Sequence, residues 1–271
     1  MATNKPQLGA TTEYPTHYDP QLLVSIPREE ARAKLTSPVA MYGLDLWTAY
    51  EVSWLDPVGK PCVAIAEVEV SSDSAAIVES KSLKLYLNSL NQAFFSGISD
   101  VASVIRKDLS AAFGGAVELR LYSLADYGSK GLQGFSGVCL DDLDTRCAYY
   151  RPESSLLRVD NDLEQVNEVL FSHLLKSNCP VTGQPDWASL QIAYRGQPIN
   201  REGLLQYIVS FRDHQDFHEN CVERIFCDII ERCQPHELSL YARYTRRGGL
   251  DINPFRSTAS LRPAFSRMAR Q

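Results

Sequence analysis

Apolar and polar positions along this chain follow two periods that take turns. From Leu44 to Leu55 the large residues Trp47, Tyr50, Val52 and Trp54 are interleaved with polar ones, as on a strand with one buried face. The turn-forming run Asp56 to Pro61 follows, and Cys62 to Val70 alternates again, which predicts a hairpin. The period then lengthens. Leu83, Leu87, Leu90 and Phe94 are spaced for a helix, and Val101, Ile105, Leu109 and Ala112 mark a second one over Ile98 to Phe113, closed by Gly114 and Gly115. Alternation resumes from Val117 to Leu124, and Phe135 to Leu143 reads as a further strand.

The second half runs through a similar series. Glu164 to Lys176 fits either period, because Val166, Leu170 and Leu174 suit a helix while the alternation suits a strand; Leu170 to Lys176 by itself is helix-forming. Ala188 to Tyr194 is a strand, Glu202 to Arg212 and Phe217 to Cys233 are helices, and Leu238 to Tyr244 is a closing strand. Arg246 to Pro254 reads as turn-rich. Two echoes point to duplication: Trp47 to Trp54 with Trp187 to Tyr194, and Tyr86 to Asn91 with Tyr207 to Arg212. The expected organisation is an arm over 1–42, a first module over 43–144, a linker over 145–162, a second module over 163–256 and a tail over 257–271. Each module is an α+β unit, an antiparallel sheet with two helices on one face.

Composition narrows the function. With 44% hydrophobic and 22% charged residues the chain has material for a full core, and its net charge of -6 argues against a nucleic-acid surface. No apolar run is long enough for a membrane span, and the polar amino terminus lacks the apolar core of an export signal, so the expectation is a cytoplasmic protein. Seven cysteines without a C-x-x-C pair do not read as a disulfide framework. Cys221, Cys227 and Cys233 recur every six residues, so they do not share a helix face and read as packing residues.

The segment Ser177 to Trp187 carries the sharpest candidate chemistry. It places the thiol of Cys179 seven residues before the carboxylate of Asp186, with two prolines and a glycine between them. Such a segment is a shaped loop, able to present a nucleophile and a proton donor to one small substrate, or else a surface turn with a half-buried thiol. His214 and His218 are four apart, a metal-ligand spacing, although the order His-Glu-x-x-His is absent and no metal site is expected. Asp216 and Glu219 have the spacing of a capping box. Lys81, Lys84, Arg246 and Arg247 are solvated charges or, with Ser82 and Gly248, a hold for a phosphate. The glycines between Gly128 and Gly137 do not form a dinucleotide fingerprint.

Four stretches in order, Glu79-Ser-Lys-Ser-Leu-Lys-Leu-Tyr86, Asn178-Cys-Pro-Val-Thr-Gly-Gln-Pro-Asp-Trp187, Phe217-His-Glu219 and Arg247-Gly-Gly-Leu-Asp-Ile-Asn-Pro254, resemble the signatures of the 7-cyano-7-deazaguanine reductases. These are NADPH-dependent nitrile oxidoreductases of queuosine biosynthesis, and the likeness is to their long, two-module form. The resemblance implies tandem tunnelling-fold (T-fold) modules that oligomerise into barrels, with a homodimer expected. It implies that Cys179 adds to the nitrile carbon to give a covalent thioimide and that Asp186 is the general acid. It places Glu79 and Glu219 on the polar edge of the deazaguanine with Ser80 and Lys81 nearby, His218 beside the reacting group, and Lys81, Ser82, Arg247 and Gly248 on NADPH.

The residues suit that chemistry. A nitrile carbon is a poor hydride acceptor until a soft nucleophile adds to it, and a thiolate can add and later leave. Nitrile to amine takes four electrons, hence two hydrides and two NADPH. The chain would act on a small deazapurine base, with no nucleic acid bound directly and no membrane. Two other functions fit less of the chain: a metal-dependent enzyme acting on pterins or GTP, and a purine-binding module without turnover.

Overall fold

The computed structural model describes residues 14–35 and 40–271. Two hairpins found in the alternating pattern are its foundation. β2 (Tyr42–Leu55) pairs with β3 (Pro61–Ser71), and β7 (Val166–Asn178) pairs with β8 (Pro185–Gly196). β5 (Val117–Tyr122) adds to β3; β9 (Glu237–Tyr244) adds to β8; β10 (Leu250–Ser257) lies between β9 and β2. The result is one eight-stranded sheet in the order β5-β3-β2-β10-β9-β8-β7-β6, antiparallel except where the short β6 (Val138–Cys139) runs beside β7. A second, two-stranded sheet joins β1 (Ser25–Pro27) to β4 (Ala76–Val78).

Each half carries two helices on one face, the arrangement expected. In the first half, α2 (Ser80–Ser89) and α3 (Ile98–Phe113) bury Leu83, Tyr86, Ile105 and Phe113 against Trp47, Val52 and Val68. In the second, α5 (Arg201–Ser210) and α6 (His218–Cys233) bury Tyr207, Ile208, Ile225 and Phe226 against Leu170, Leu190, Ile192 and Leu240. The three cysteines of α6 are all buried, as packing residues are. Two short helices complete the fold, α1 (Arg28–Arg32) in the arm and α4 (Leu124–Gly128) after β5.

The structure departs from the sequence pattern in four places. The ambiguous segment over 164–176 is strand β7, not helix; a bulge between Ser172 and Leu175 turns both Leu170 and Leu175 inward, a spacing of five that blurs the strand period. Over 135–143 only Val138 and Cys139 pair. The turn-rich segment after Arg246 becomes β10 from Leu250 onward. Pro254 is tolerated there because β9 pairs with β10 only from Phe255 on, so β10 has no second ladder at that residue. Finally, Trp47 to Trp54 lies on the first strand of its hairpin and Trp187 to Tyr194 on the second, so this echo reflects strand alternation shared by any half-buried strand.

The seam between halves is the β2–β10 ladder, eight residue pairs from Leu250–Ala49 to Ser257–Tyr42. A buried ion network locks it. Arg256 of β10 meets Asp45 of β2 at 2.8 Å and Glu223 of α6 at 2.8 Å. Arg28 and Arg32 of the arm complete the set, bonding to Asp45 and Glu223 respectively.

Candidate active site

Cys179 sits where β7 ends. Ser177 pairs with Asp186 and Asn178 with Pro185 across the hairpin, so the ladder itself brings the thiol segment beside the carboxylate. The turn is closed by the Cys179 N–H donating to the Gln184 carbonyl (2.9 Å) and the Gly183 N–H donating to the Cys179 carbonyl (2.9 Å). Gly183, at φ +69°, supplies the left-handed residue this closure needs. The Asn178 side chain ties the turn to the backbone carbonyls of Arg212 and His214. Burial by itself pushes the Cys179 thiol up. Hydrogen bonds to sulfur from the Thr182 side chain, the N–H groups of Thr182 and Val181, and Arg247 outweigh it, and the net direction is down, toward thiolate.

Asp186 is the second residue of β8 and is 3% exposed. Its Oδ1 lies 3.2 Å from the Arg247 guanidinium and 3.6 Å from His218 Nε2, while its Oδ2 has no hydrogen-bond partner among the described residues. His218 is the first residue of α6, and its ring stands edge-on to Tyr244 at 4.1 Å. Glu219 turns inward instead of capping. The residue before the helix is Phe217, and the Asp216 carboxylate is taken by the Phe217 N–H and the Asn220 amide, so the capping box does not form. Burial raises Glu219 to about 8, with the charge of Asp45 adding to the rise and Arg28 opposing it. His214 precedes α6, so it does not share a helix face with His218, and among the described residues no three metal-ligating side chains are gathered.

These groups line one crevice. Cys179, Pro180, Asp186, Phe217, His218, Glu219 and Arg247 come from the second half and Trp47, Val78 and Ser80 from the first. Buried atoms without partners among the described residues cluster on it: Asp186 Oδ2, Glu219 Oε1 and Trp47 Nε1. Orphaned buried polar atoms carry a cost of about 1–3 kcal/mol each unless a ligand or water meets them. Three on one crevice point to a polar ligand. The crevice is closed down to a cavity of about 10 Å³, room for about one water, so a base enters only as the walls part. A cavity of about 490 Å³ between α1 and α6 shares Pro180, Asp216 and Phe217 with it.

The first half contributes the start of α2. Glu79 caps that helix: its carboxylate accepts from the Lys81 N–H (2.9 Å) and the Ser82 N–H (2.7 Å), leaving lone pairs for further donors. The Ser82 hydroxyl is buried and committed, donating to the Glu79 carbonyl and accepting from the Val24 N–H. Lys81 and Gly248 lie outside the crevice, in an adjoining groove of about 400 Å³ with Lys84. Gly248 and Gly249 both have positive φ, as the two-residue turn before β10 requires, and a side chain at Gly248 would meet Lys84 at 3.3 Å. Burial and the charge of Arg247 lower the Lys84 ammonium.

Residues missed as site residues are Trp47, Thr182 and Tyr244. Lys84, read from the sequence as a solvated charge or part of a hold for a phosphate, follows Lys81 by three on one helix and lies in the groove with it. A strand tyrosine such as Tyr244 carries no comparable mark.

Comparison with known proteins places these features in context. Residues 14–121 match a family model described as nitrile reductase, 7-cyano-7-deazaguanine-reductase N-term, and residues 185–262 one described as QueF-like protein. A protein of Polaromonas sp. strain JS666 is 52% identical over 98% of this chain and 98% of its own. One of Dechloromonas aromatica is 54% identical over 93% of this chain and 89% of its own, and one of Cupriavidus necator 50% identical over 97% of each. All three are named NADPH-dependent 7-cyano-7-deazaguanine reductase. The likeness to a solved structure titled as an archaeosine synthase QueF-Like in the apo form spans 37% of this chain and 98% of that one, at TM-score 0.30 and 14% identity.

Proposed function

The chain belongs to the NADPH-dependent 7-cyano-7-deazaguanine reductases, and we infer from that membership that it reduces the nitrile of 7-cyano-7-deazaguanine to the aminomethyl base of queuosine biosynthesis. NADPH is the reductant. The observation that best supports a residue-level reading is the shared crevice, lined by a thiol drawn toward thiolate, a buried carboxylate and three orphaned polar atoms, one of them on that carboxylate.

In that reading the Cys179 sulfur adds to the nitrile carbon. The S–C bond forms as one C–N π bond breaks, and the thiol proton passes through Asp186 to the nitrile nitrogen, leaving a thioimide. His218, held edge-on by Tyr244, borders the reacting group. Glu219 and Glu79 accept N–H donors from the guanine-like edge, with Ser80 at the same helix start. The closed crevice shields the intermediate imine from water.

The groove beside α2 fits the reductant, because Lys81 and Lys84 offer cations for phosphates and Gly248 leaves backbone open between them. Arg247 stands at its border, and Ser82 acts by fixing the helix start that carries Lys81. Bound there, NADPH supplies one hydride in each of two reductions.

The test is mass spectrometry with the nitrile alone, reductant withheld. The Cys179 peptide gains the mass of the base in the wild type and not in Cys179→Ala, and Cys179→Ala loses NADPH oxidation while still binding the base. Wild-type turnover by Cys179→Ala would sink the nucleophile assignment.

We also propose a homodimer, supported by the open sheet edges at β5 and β6 and checked by light scattering. A cytoplasmic location is supported by seven cysteines that form no disulfide. Among the described residues no helix is long and apolar enough to cross a membrane. The net charge of -6 supports a free base as substrate, with no nucleic acid bound directly.

A further inference from the structure

We propose that Arg247 is the positioning residue that gathers Cys179 and Asp186 on one fixed cation before any cofactor is engaged. The inference rests on the reading of Cys179 as the nucleophile and adds a role that a phosphate contact alone does not explain. Arg247 is fixed at its root by a two-bond turn: its N–H donates to the Leu250 carbonyl and the Leu250 N–H donates back. From there the guanidinium points into the crevice. Its Nη1 lies 3.2 Å from Asp186 Oδ1 and 3.5 Å from the Pro185 carbonyl, and it contributes to drawing the Cys179 sulfur toward thiolate.

Other charged groups face this pair, and one of them, Lys84, is a cation whose charge reaches both members. From α6 come His218, 3.6 Å from Asp186, and the inward-turned Glu219, with Asp216 just before the helix committed to Phe217 and Asn220. From α2 come Glu79, which caps the helix, and Lys84, whose side chain packs along Gly248 on the groove side. A sulfur that gives up its proton beside a buried carboxylate gathers negative charge in a largely buried place, and a cation at hand offsets that cost. Arg247 bonds directly to both members through a planar fork that stays charged throughout the working pH range, whereas burial and the charge of Arg247 lower the Lys84 ammonium. Arg247 thus holds the Asp186 carboxylate in place to pass the thiol proton on and keeps the sulfur poised to add.

The experiment follows labelling of the Cys179 peptide by iodoacetamide against pH, with neither base nor NADPH present, in wild type, Arg247→Gln and Arg247→Lys. Loss of a nearby opposite charge moves a midpoint by about 1–3 pH units. Arg247→Gln is therefore expected to shift the labelling midpoint upward by about one unit or more and to slow labelling at pH 7 about tenfold or more. Arg247→Lys restores most of it. An unmoved midpoint in Arg247→Gln overturns the proposal, including the case in which that variant merely melts earlier. Adduct formation with the nitrile alone separates the two readings. If wild type titrates as stated and yet gains no mass on that peptide, the thioimide falls and the effect of Arg247 on the sulfur stands.

Discussion

In the amino-terminal half the Tyr86 hydroxyl of α2 donates to Asp108 of α3 at 2.7 Å; in the carboxy-terminal half the Tyr207 hydroxyl of α5 donates to Asp228 of α6 at 2.6 Å. Ser89 and Ser210 each donate to the carbonyl of the tyrosine three residues earlier, and each accepts a backbone N–H, from Asp19 and from Glu153. The backbone N–H at the start of each first helix, Glu79 or Asn200, donates to a carbonyl of the segment preceding its module, Val24 or Arg158. The arm and the linker are thus counterparts. The halves part company in their turns and helix starts. The β2–β3 turn closes over the Asp56 carboxylate, whereas the β7–β8 turn carries Cys179. α3 begins with an exposed Ile98, whereas α6 begins with His218 and Glu219 on the crevice. Bonds that hold a helix pair together are costly to lose, while turns tolerate change, and accordingly the matching bonds lie between the helices while the chemistry lies at a turn and a helix start.

The comparison breaks most sharply if the halves are uncoupled. Arg256→Met leaves Asp45 and Glu223 buried beside fewer cations, and removing one partner from such a network costs about 3–5 kcal/mol. A urea melt of this variant is expected to show a loss of that size; a change below about 1 kcal/mol would mean that the seam does not depend on the network.

A smaller effect separates the helix starts. Glu219 is raised to about 8 by burial and by Asp45, so it is mostly protonated at neutral pH, whereas the edge of the base requires the carboxylate. Base affinity in Cys179→Ala therefore rises with pH, by about tenfold per unit, and levels off above about 8, with a proton released on binding below that point. Calorimetry in two buffers of different ionisation enthalpy measures the release. Affinity independent of pH between 6 and 8, on the order of the range set by that linkage, would remove Glu219 from the base.

The finest test compares the matched tyrosines. Tyr207→Phe takes a donor from Asp228 in a fully buried setting and is expected to cost about 1–3 kcal/mol. Tyr86→Phe costs less, because Asp108 keeps a bond from the Tyr18 hydroxyl. Equal losses on denaturation would mean that the arm adds nothing to the first pair.

Much of this was legible in the residues because proline and glycine punctuate it. The turn between Cys179 and Asp186 could not be helix, and the apolar faces of α3 and α6 stand out at helical spacing. Three features were hidden for physical reasons. The bulge in β7 mimics a longer period. The Gly-Gly start and Pro254 disguise β10, whose ladder to β9 opens where the proline sits. Glu219 has the local spacing of a cap, and only the packing of α6 against the seam turns it inward. The equivalence of arm and linker was invisible because it is carried by backbone groups, which any residue provides.

The seam has a consequence for how the enzyme comes into being. β2 leaves the ribosome some two hundred residues before its neighbour β10, so the nascent protein holds a strand paired on the β3 side alone and two separated walls of its pocket through most of synthesis. Reactivity arrives late, when Leu250 to Ser257 slots into place and carries Arg247 to the sulfur, and until that moment the growing polypeptide has a thiol but no enzyme.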